Sequence, residues 1–314
     1  MQKPIFWAIL TVLLWSFSST LARFISLSSP YLLFSISFAC ALLIFLIRAR
    51  KVYGDKLITK LRTIPVSYFF VGILGYYAIW LGNTKSFQSF DSASETTVLN
   101  YTWLVFTVLF SQLIFNRPPK LTTDIALRNL GILLCFVAVY FLAVEGNLRG
   151  FNYTHVRGVL WGLFGGASYG FFSAYSSRVP QKDHILFLIA AVAASLPVMI
   201  ITFVLHTGHI ASGIAEITLR DVLFALAIGI FVDAFGYMTW TRALQLGKRL
   251  STDVAKVASI VFLLPVTSLV IVFVVFREIT ISEPYFLKTL VLLLAGIGLA
   301  QKSTAVSRFL LNKR

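Results

Sequence analysis

The chain has 314 residues, of which 58% are hydrophobic and only 12% charged, with a formal net charge of +15 and a mean hydropathy of +0.85. Water-soluble domains carry about 25% charged residues, so a soluble globular enzyme is excluded, and the few charges present avoid long windows. The positive excess lies in short connections between apolar segments, where it orients a membrane protein and is not read as a nucleic-acid surface.

In chain order, ten apolar segments approach or reach spanning length: Ile5–Ala22, Pro30–Ile47, Pro65–Gly82, Thr96–Phe115, Asn129–Val144, Gly158–Ser176, Ile185–His206, Val222–Trp240, Val257–Phe276 and Leu287–Ala300. A transmembrane helix needs about 20 predominantly apolar residues. The fifth and tenth segments are short and are expected to tilt or to extend at their ends. No small-residue cleavage site follows the first, which reads as a retained helix. Cys40 and Cys135 lie inside apolar segments without metal-ligand spacing, as packing residues do. The sequence therefore predicts an all-α integral membrane protein of ten transmembrane helices. With the N-terminus inside, the inner connections hold 20 Lys and Arg residues and the outer ones seven, which predicts that both termini are cytoplasmic.

The two halves resemble each other. Trp7–Leu10 matches Trp161–Phe164, and the same register pairs Trp15 with Tyr169. Gly72-Ile73 matches Gly229-Ile230, pairing Trp80 with Tyr237, and Trp103-Leu104 falls opposite Leu264-Pro265. Residues 1–150 and 151–314 are thus expected to be two five-helix repeats. Five spans is an odd number, so the second copy would be inverted, an architecture found in secondary transporters with the substrate site near the midplane.

The fourth segment carries the most informative run: Ala93, Glu95, Val98, Asn100, Tyr101 and Trp103. It resembles the A-x-E-x-x-x-x-N-Y-x-W-P motif of bacterial aromatic amino-acid exporters, a branch of the EamA-like part of the drug/metabolite transporter superfamily, although Leu104 stands where that branch has proline. The resemblance covers essentially the whole chain. It implies a ten-helix exporter of the bacterial inner membrane that moves small metabolites, aromatic or hydrophobic amino acids first among them, by alternating access.

Residue chemistry is read beside that likeness. An amide buried in a bilayer without a partner costs several kcal/mol (about 2–7), so Asn100 either meets a neighbouring helix or lines a polar cavity. Trp103 shares its helical face and Tyr101 flanks it; such rings can stack on an aromatic group or hold an ammonium. Trp15, Tyr77, Trp80, Tyr169 and Tyr237 are further aromatic candidates for the cavity wall. Asp233 lies near the centre of the eighth segment, where a charge costs about 2.5–3.5 kcal/mol on insertion scales; it is a candidate proton-coupling group or a structural partner of Tyr76, Tyr77 or Tyr237. Glu95 and Lys256 occupy matching mouths of the fourth and ninth segments and are gate or interfacial-anchor candidates. Pro265 removes a backbone donor and should kink the ninth segment. The glycines of the sixth segment at three- to four-residue spacing are read as packing positions.

No phosphate-binding glycine loop, metal-ligand spacing or serine–histidine arrangement is visible, so no enzyme activity and no cofactor is expected, a proton being the candidate coupling ion. The expected partners are a small-molecule substrate and the lipid bilayer, with no nucleic acid, in a monomer or weak homo-oligomer. A drug-efflux carrier, a channel and a non-transporting sensor are the alternatives.

Overall fold

The computed structural model describes residues 3–22, 30–90, 93–113, 122–143, 156–207, 215, 217–250, 254–277 and 283–311, with side chains at 19, 22, 93–95, 142–143, 283–284 and 304–311 outside the description. Among the described residues the secondary structure is helical, without a strand, and besides the short pieces Gly54–Lys56, Leu57–Arg62 and Gln181–Asp183 it forms ten rods. These are α1 (Pro4–Ala22), α2 (Pro30–Tyr53), α3 (Val66–Phe87), α4 (Ala93–Leu113), α5 (Thr123–Ala143), α6 (Val156–Ser176), α7 (His184–Thr207), α8 (Leu219–Arg249), α9 (Val254–Phe276) and α10 (Glu283–Leu311). The fifth and tenth extend beyond their apolar stretches, to 21 and 29 residues.

Seven of the rods are long and apolar enough to cross a membrane, α2, α3, α5, α7, α8, α9 and α10, and the protein is a multi-pass membrane protein. Large apolar side chains such as Phe6, Leu43, Phe70, Leu133, Leu160, Leu205 and Leu294 face outward. The interior instead gathers serines and threonines: Thr11, Ser16, Ser35, Thr107, Ser195 and Thr241 are buried and donate to the carbonyl one turn back. This distribution suits a lipid surround, because lipid tails are as apolar as leucine and do not drive such residues inward. Of the other rods, α1 is an apolar helix of 19 residues, whereas α4 and α6 spend positions on Asn100, Trp103, Tyr169 and a series of glycines, which lowers their apolarity.

Packing follows a regular pattern. The helix α5 lies chiefly on α10, α4 on α6, and α2 on α7; α3 packs on α6 and α7, and α8 on α1 and α2. The helix α9 contacts α1, α4 and α10. Small residues permit the closest of these approaches. On α6, a Cβ added at Gly162, Gly166 or Gly170 would run into Leu99, the Thr102 hydroxyl and Phe106 of α4, respectively. A Cβ at Gly82 of α3 would come within 2.7 Å of Gly165. The glycines of α6 thus draw α3 and α4 against the same helix.

Two stretches depart from α geometry, Ile73–Ala78 inside α3 and Gly229–Gly236 inside α8, and both are π-helical. They fall at positions that the register of Gly72-Ile73 with Gly229-Ile230 makes equivalent. A π stretch closes i→i+5 bonds, which widens the helix and leaves carbonyls at its edge open to side-chain donors.

The glycine contacts make a direct contrast. Gly298 of α10 has open space where a Cβ would stand, so Gly298→Ala should raise stability by up to about 1 kcal/mol through helix propensity. Gly166→Ala should instead cost about 1–3 kcal/mol by overpacking against α4. Unfolding of the two purified variants in mixed detergent micelles reads both signs.

Candidate functional site

The two π stretches face each other across the interior, and aromatic side chains satisfy their open carbonyls. Tyr76 of α3 donates its hydroxyl to the Asp233 carbonyl at 2.8 Å, and Tyr237 of α8 donates to the Gly75 carbonyl at 2.9 Å. Their rings stack with centroids 4.0 Å apart. Trp15 of α1 donates its indole N–H to the Val232 carbonyl at 3.1 Å; Gly75 and Val232 are equivalent in the repeat register. Backbone bonding therefore fixes three rings at the centre.

Around them stands an aromatic cluster. Trp15 meets Trp103, Tyr169, Tyr237 and Trp240 at centroid distances of 5.8–6.2 Å, in edge-to-face or tilted contacts. Trp103 meets Tyr169 at 4.9 Å, and Tyr169 meets Tyr237 at 5.4 Å. The indole of Trp240 donates to Ser173 of α6 at 3.0 Å. Beside this cluster lies a cavity of about 110 Å³, lined from α1, α3, α4, α6, α8 and α9. Its wall carries no charged side chain among the described residues. Four lining residues hold a buried polar atom with no hydrogen-bond partner: Trp80 Nε1, Asn83 Oδ1, Asn100 Oδ1 and Tyr169 Oη. Each such atom costs about 1–3 kcal/mol while unpaired.

The residues expected from sequence divide as follows. Asn100, Trp103, Trp15, Trp80, Tyr169 and Tyr237 line the cavity together. Tyr101 is buried in the packed core one position around α4. Tyr77 turns to α7, where its hydroxyl pairs with Thr202 at 2.8 Å, because the π stretch re-aims successive side chains. Asp233 is fully buried but stands behind the lining, next to Val232: Ser37 of α2 donates to its Oδ2 at 2.8 Å, and its Oδ1 has no partner. The Trp80 indole lies close to that carboxyl, outside normal hydrogen-bond geometry. Lys256 sits off the cavity in the first turn of α9, with its carbonyl held by Gln301 of α10. The Glu95 side chain lies outside the described residues.

Pro265 interrupts α9, as a proline in a helix does. The break falls at Phe262–Leu263, in the turn before it, and the proline occupies the first turn of the second half, Leu264–Phe276. Leu264 beside it reaches the cavity wall.

Sequence reading missed Ser18, Ile79, Asn83, Val232 and Leu264. For Asn83 a signal existed: Trp80 and Asn83 repeat on α3 the three-residue spacing of Asn100 and Trp103 on α4. The apolar three carry no chemical signature, and they line the cavity through the π stretch and the break in α9.

The carbonyl bonds generate a stability test. Tyr76→Phe and Tyr237→Phe each keep the ring and strand one buried carbonyl, which should cost about 1–3 kcal/mol apiece. Because the rings stack, the double variant should depart from additivity by about 0.5 kcal/mol or more. Detergent-based unfolding of the two single variants and the double variant measures it; two neutral, additive variants would show that these bonds do not hold the centre.

Comparison with known proteins gives matches to solved structures and to one family. No curated protein matches the sequence. A solved crystal structure superposes with a TM-score of 0.76 at 19% identity, covering 98% of this chain and 99% of that one, which shows the fold of the whole chain as one already seen in a crystal. Residues 2–144, running from α1 through α5, match the EamA-like transporter family.

Proposed function

We propose that the protein is a secondary transporter whose ten helices form two inverted five-helix repeats, residues 1–150 and 151–314, and that it exports aromatic or other hydrophobic amino acids. The observation that carries this reading is the cavity at the junction of the two halves. Among the described residues its wall is aromatic, free of charge and supplied with unpartnered polar atoms of both kinds. Aromatic faces suit a ring, and the amide oxygens accept from an ammonium. A net-charged substrate would leave its charge without a counter-charge in such a wall.

Two features support the repeat. The paired π stretches occupy equivalent positions, and the helix contacts keep their pattern when each helix is exchanged for the one five places away. The pair α1·α9 becomes α6·α4, α1·α8 becomes α6·α3, and α2·α7 and α5·α10 map onto themselves. The match of residues 2–144 to a transporter family supports transport of a small molecule. At about 110 Å³ the cavity is smaller than the roughly 300–1,000 Å³ that takes a drug-sized ligand, as expected of a carrier caught contracted. Neither a channel nor a sensor needs this combination of a closed centre and two exchangeable halves. The excess of Lys and Arg in alternate connections supports cytoplasmic termini in a bacterial inner membrane, with the protein acting as a monomer or weak homo-oligomer.

Asp233 is assigned to coupling. Its place behind the lining keeps it out of the substrate's way, while an opening that hydrates it would change its proton occupancy. The same place weakens the reading as a carrier of organic cations, which wants an acid in the wall.

The test is uptake of phenylalanine, tyrosine and tryptophan into proteoliposomes, with and without a pH gradient. Saturable uptake in the wild type should fall at least tenfold in Asn100→Ala, whereas Asp233→Asn should keep transport and lose its response to the gradient. Uptake of an organic cation with none of the three amino acids would overturn the substrate class, and an unchanged gradient response in Asp233→Asn would remove the carboxyl from coupling.

A further inference from the structure

Asn83 has no counterpart in the motif that drew attention to Asn100, yet it stands in the same cavity and in the same condition. It is a buried amide in the last turns of α3, between Trp80 and the helix end. Its carbonyl oxygen has no partner, and neither has that of Asn100 on α4. Both residues line the cavity, and among the described residues these two amides and the Ser18 hydroxyl are its only side-chain polar groups apart from indoles and phenols. Two unpaired acceptors in one charge-free space call for a donor-rich group. A protonated amine offers three N–H donors and no acceptor, and it is the one common metabolite group that aromatic faces also attract. Trp15, Trp103, Tyr169 and Tyr237 supply those faces beside the amides. A carboxylate would gain nothing from the two oxygens and would meet the negative faces of the rings.

We propose that Asn83 and Asn100 together form the amine subsite of this cavity, two amide oxygens accepting from a substrate ammonium while the surrounding rings cover its remaining face. The assignment rests on the reading of the cavity as a substrate site, and it makes Asn83 a specificity-determining residue. It also accounts for the supply of both amides by adjacent helices of one half: α3 and α4 are held against a common glycine face of α6, which keeps the acceptors in one place whichever way the cavity opens.

Three probes of one shape separate the groups: phenylalanine, phenethylamine and 3-phenylpropionate. Binding to the purified protein in detergent is read by tryptophan fluorescence, since Trp15, Trp80 and Trp103 line the cavity. The wild type should prefer both amines to 3-phenylpropionate. Asn83→Leu should weaken the amines about 10- to 100-fold, the loss expected for a hydrogen bond to a charged group, and leave 3-phenylpropionate unchanged. Asn83→Asp keeps an acceptor in the same shape, and it should preserve or widen the preference, which guards against a leucine variant that fails to fold. An amine preference that survives in Asn83→Leu, equal weakening of all three probes, or a narrowed preference in Asn83→Asp would overturn the subsite while leaving the amino-acid reading intact. Wild-type binding of phenethylamine without phenylalanine would overturn the amino-acid reading and support the subsite. Binding of none of the three would overturn both.

Discussion

A peptide carbonyl released from its helix in a bilayer has no water to turn to, and the whole centre of this protein is arranged around that constraint. The π stretches of α3 and α8 release such carbonyls in mid-helix. Tyr76, Tyr237 and Trp15 answer them with a donor at the tip of an aromatic ring. The consequence is that ring positions are dictated by backbone geometry. Phenylalanine would fill the same space and leave a buried acceptor unpaired, so the need for Tyr and Trp is electrostatic before it is steric. Once those rings are fixed, Trp103, Tyr169 and Trp240 pack on them edge-to-face, and the cavity is the space that this frame leaves over.

The same constraint sorts the helices. Seven of them are apolar enough to be recognised as spans by composition alone, and two of the seven, α3 and α8, carry the π stretches of the centre. Two others that build the centre, α4 and α6, fall outside that set because they carry an amide, rings and glycines. Polar substitutions on a lipid-facing position would cost solvation with no return, whereas these groups turn to the interior. Glycines on α6 complete the arrangement, since their missing side chains let α3 and α4 approach so closely.

How much of this the sequence disclosed follows from what each feature depends on. The multi-pass architecture was legible because apolar length is a one-dimensional property. So were Asn100, Trp103, Trp15, Trp80, Tyr169 and Tyr237, since polar and aromatic groups in an apolar run announce themselves by their cost. Tyr77 and Tyr101 were indistinguishable from these by composition; a π turn sends one to α7, and the pitch of α4 sends the other into the core. Asn83 lay at the edge of its apolar segment and looked like the start of a loop, but α3 continues to Phe87 and keeps it buried. Pro265 was readable as a break, but not as the first turn of a new segment, because the position of a break relative to its proline is set by packing around it.

The halves match in frame and differ in chemistry, and that difference is where direction can enter. On the transport reading, a contact pattern that survives exchange of the halves corresponds to two conformations of comparable energy, each the exchanged image of the other, so a small bias would decide between them. The side chains supply the bias. In the repeat register Asn83 falls opposite Trp240 and Tyr76 opposite Asp233, so both cavity amides belong to the first half and the buried carboxyl to the second. On the transport reading, substrate is gripped by one half while proton occupancy changes in the other. Trp80 of the first half lines the cavity with its ring and reaches towards Asp233 with its N–H. On the same reading, movement of one half against the other changes the environment of that carboxyl, and Trp80 is the side chain that would link the two events.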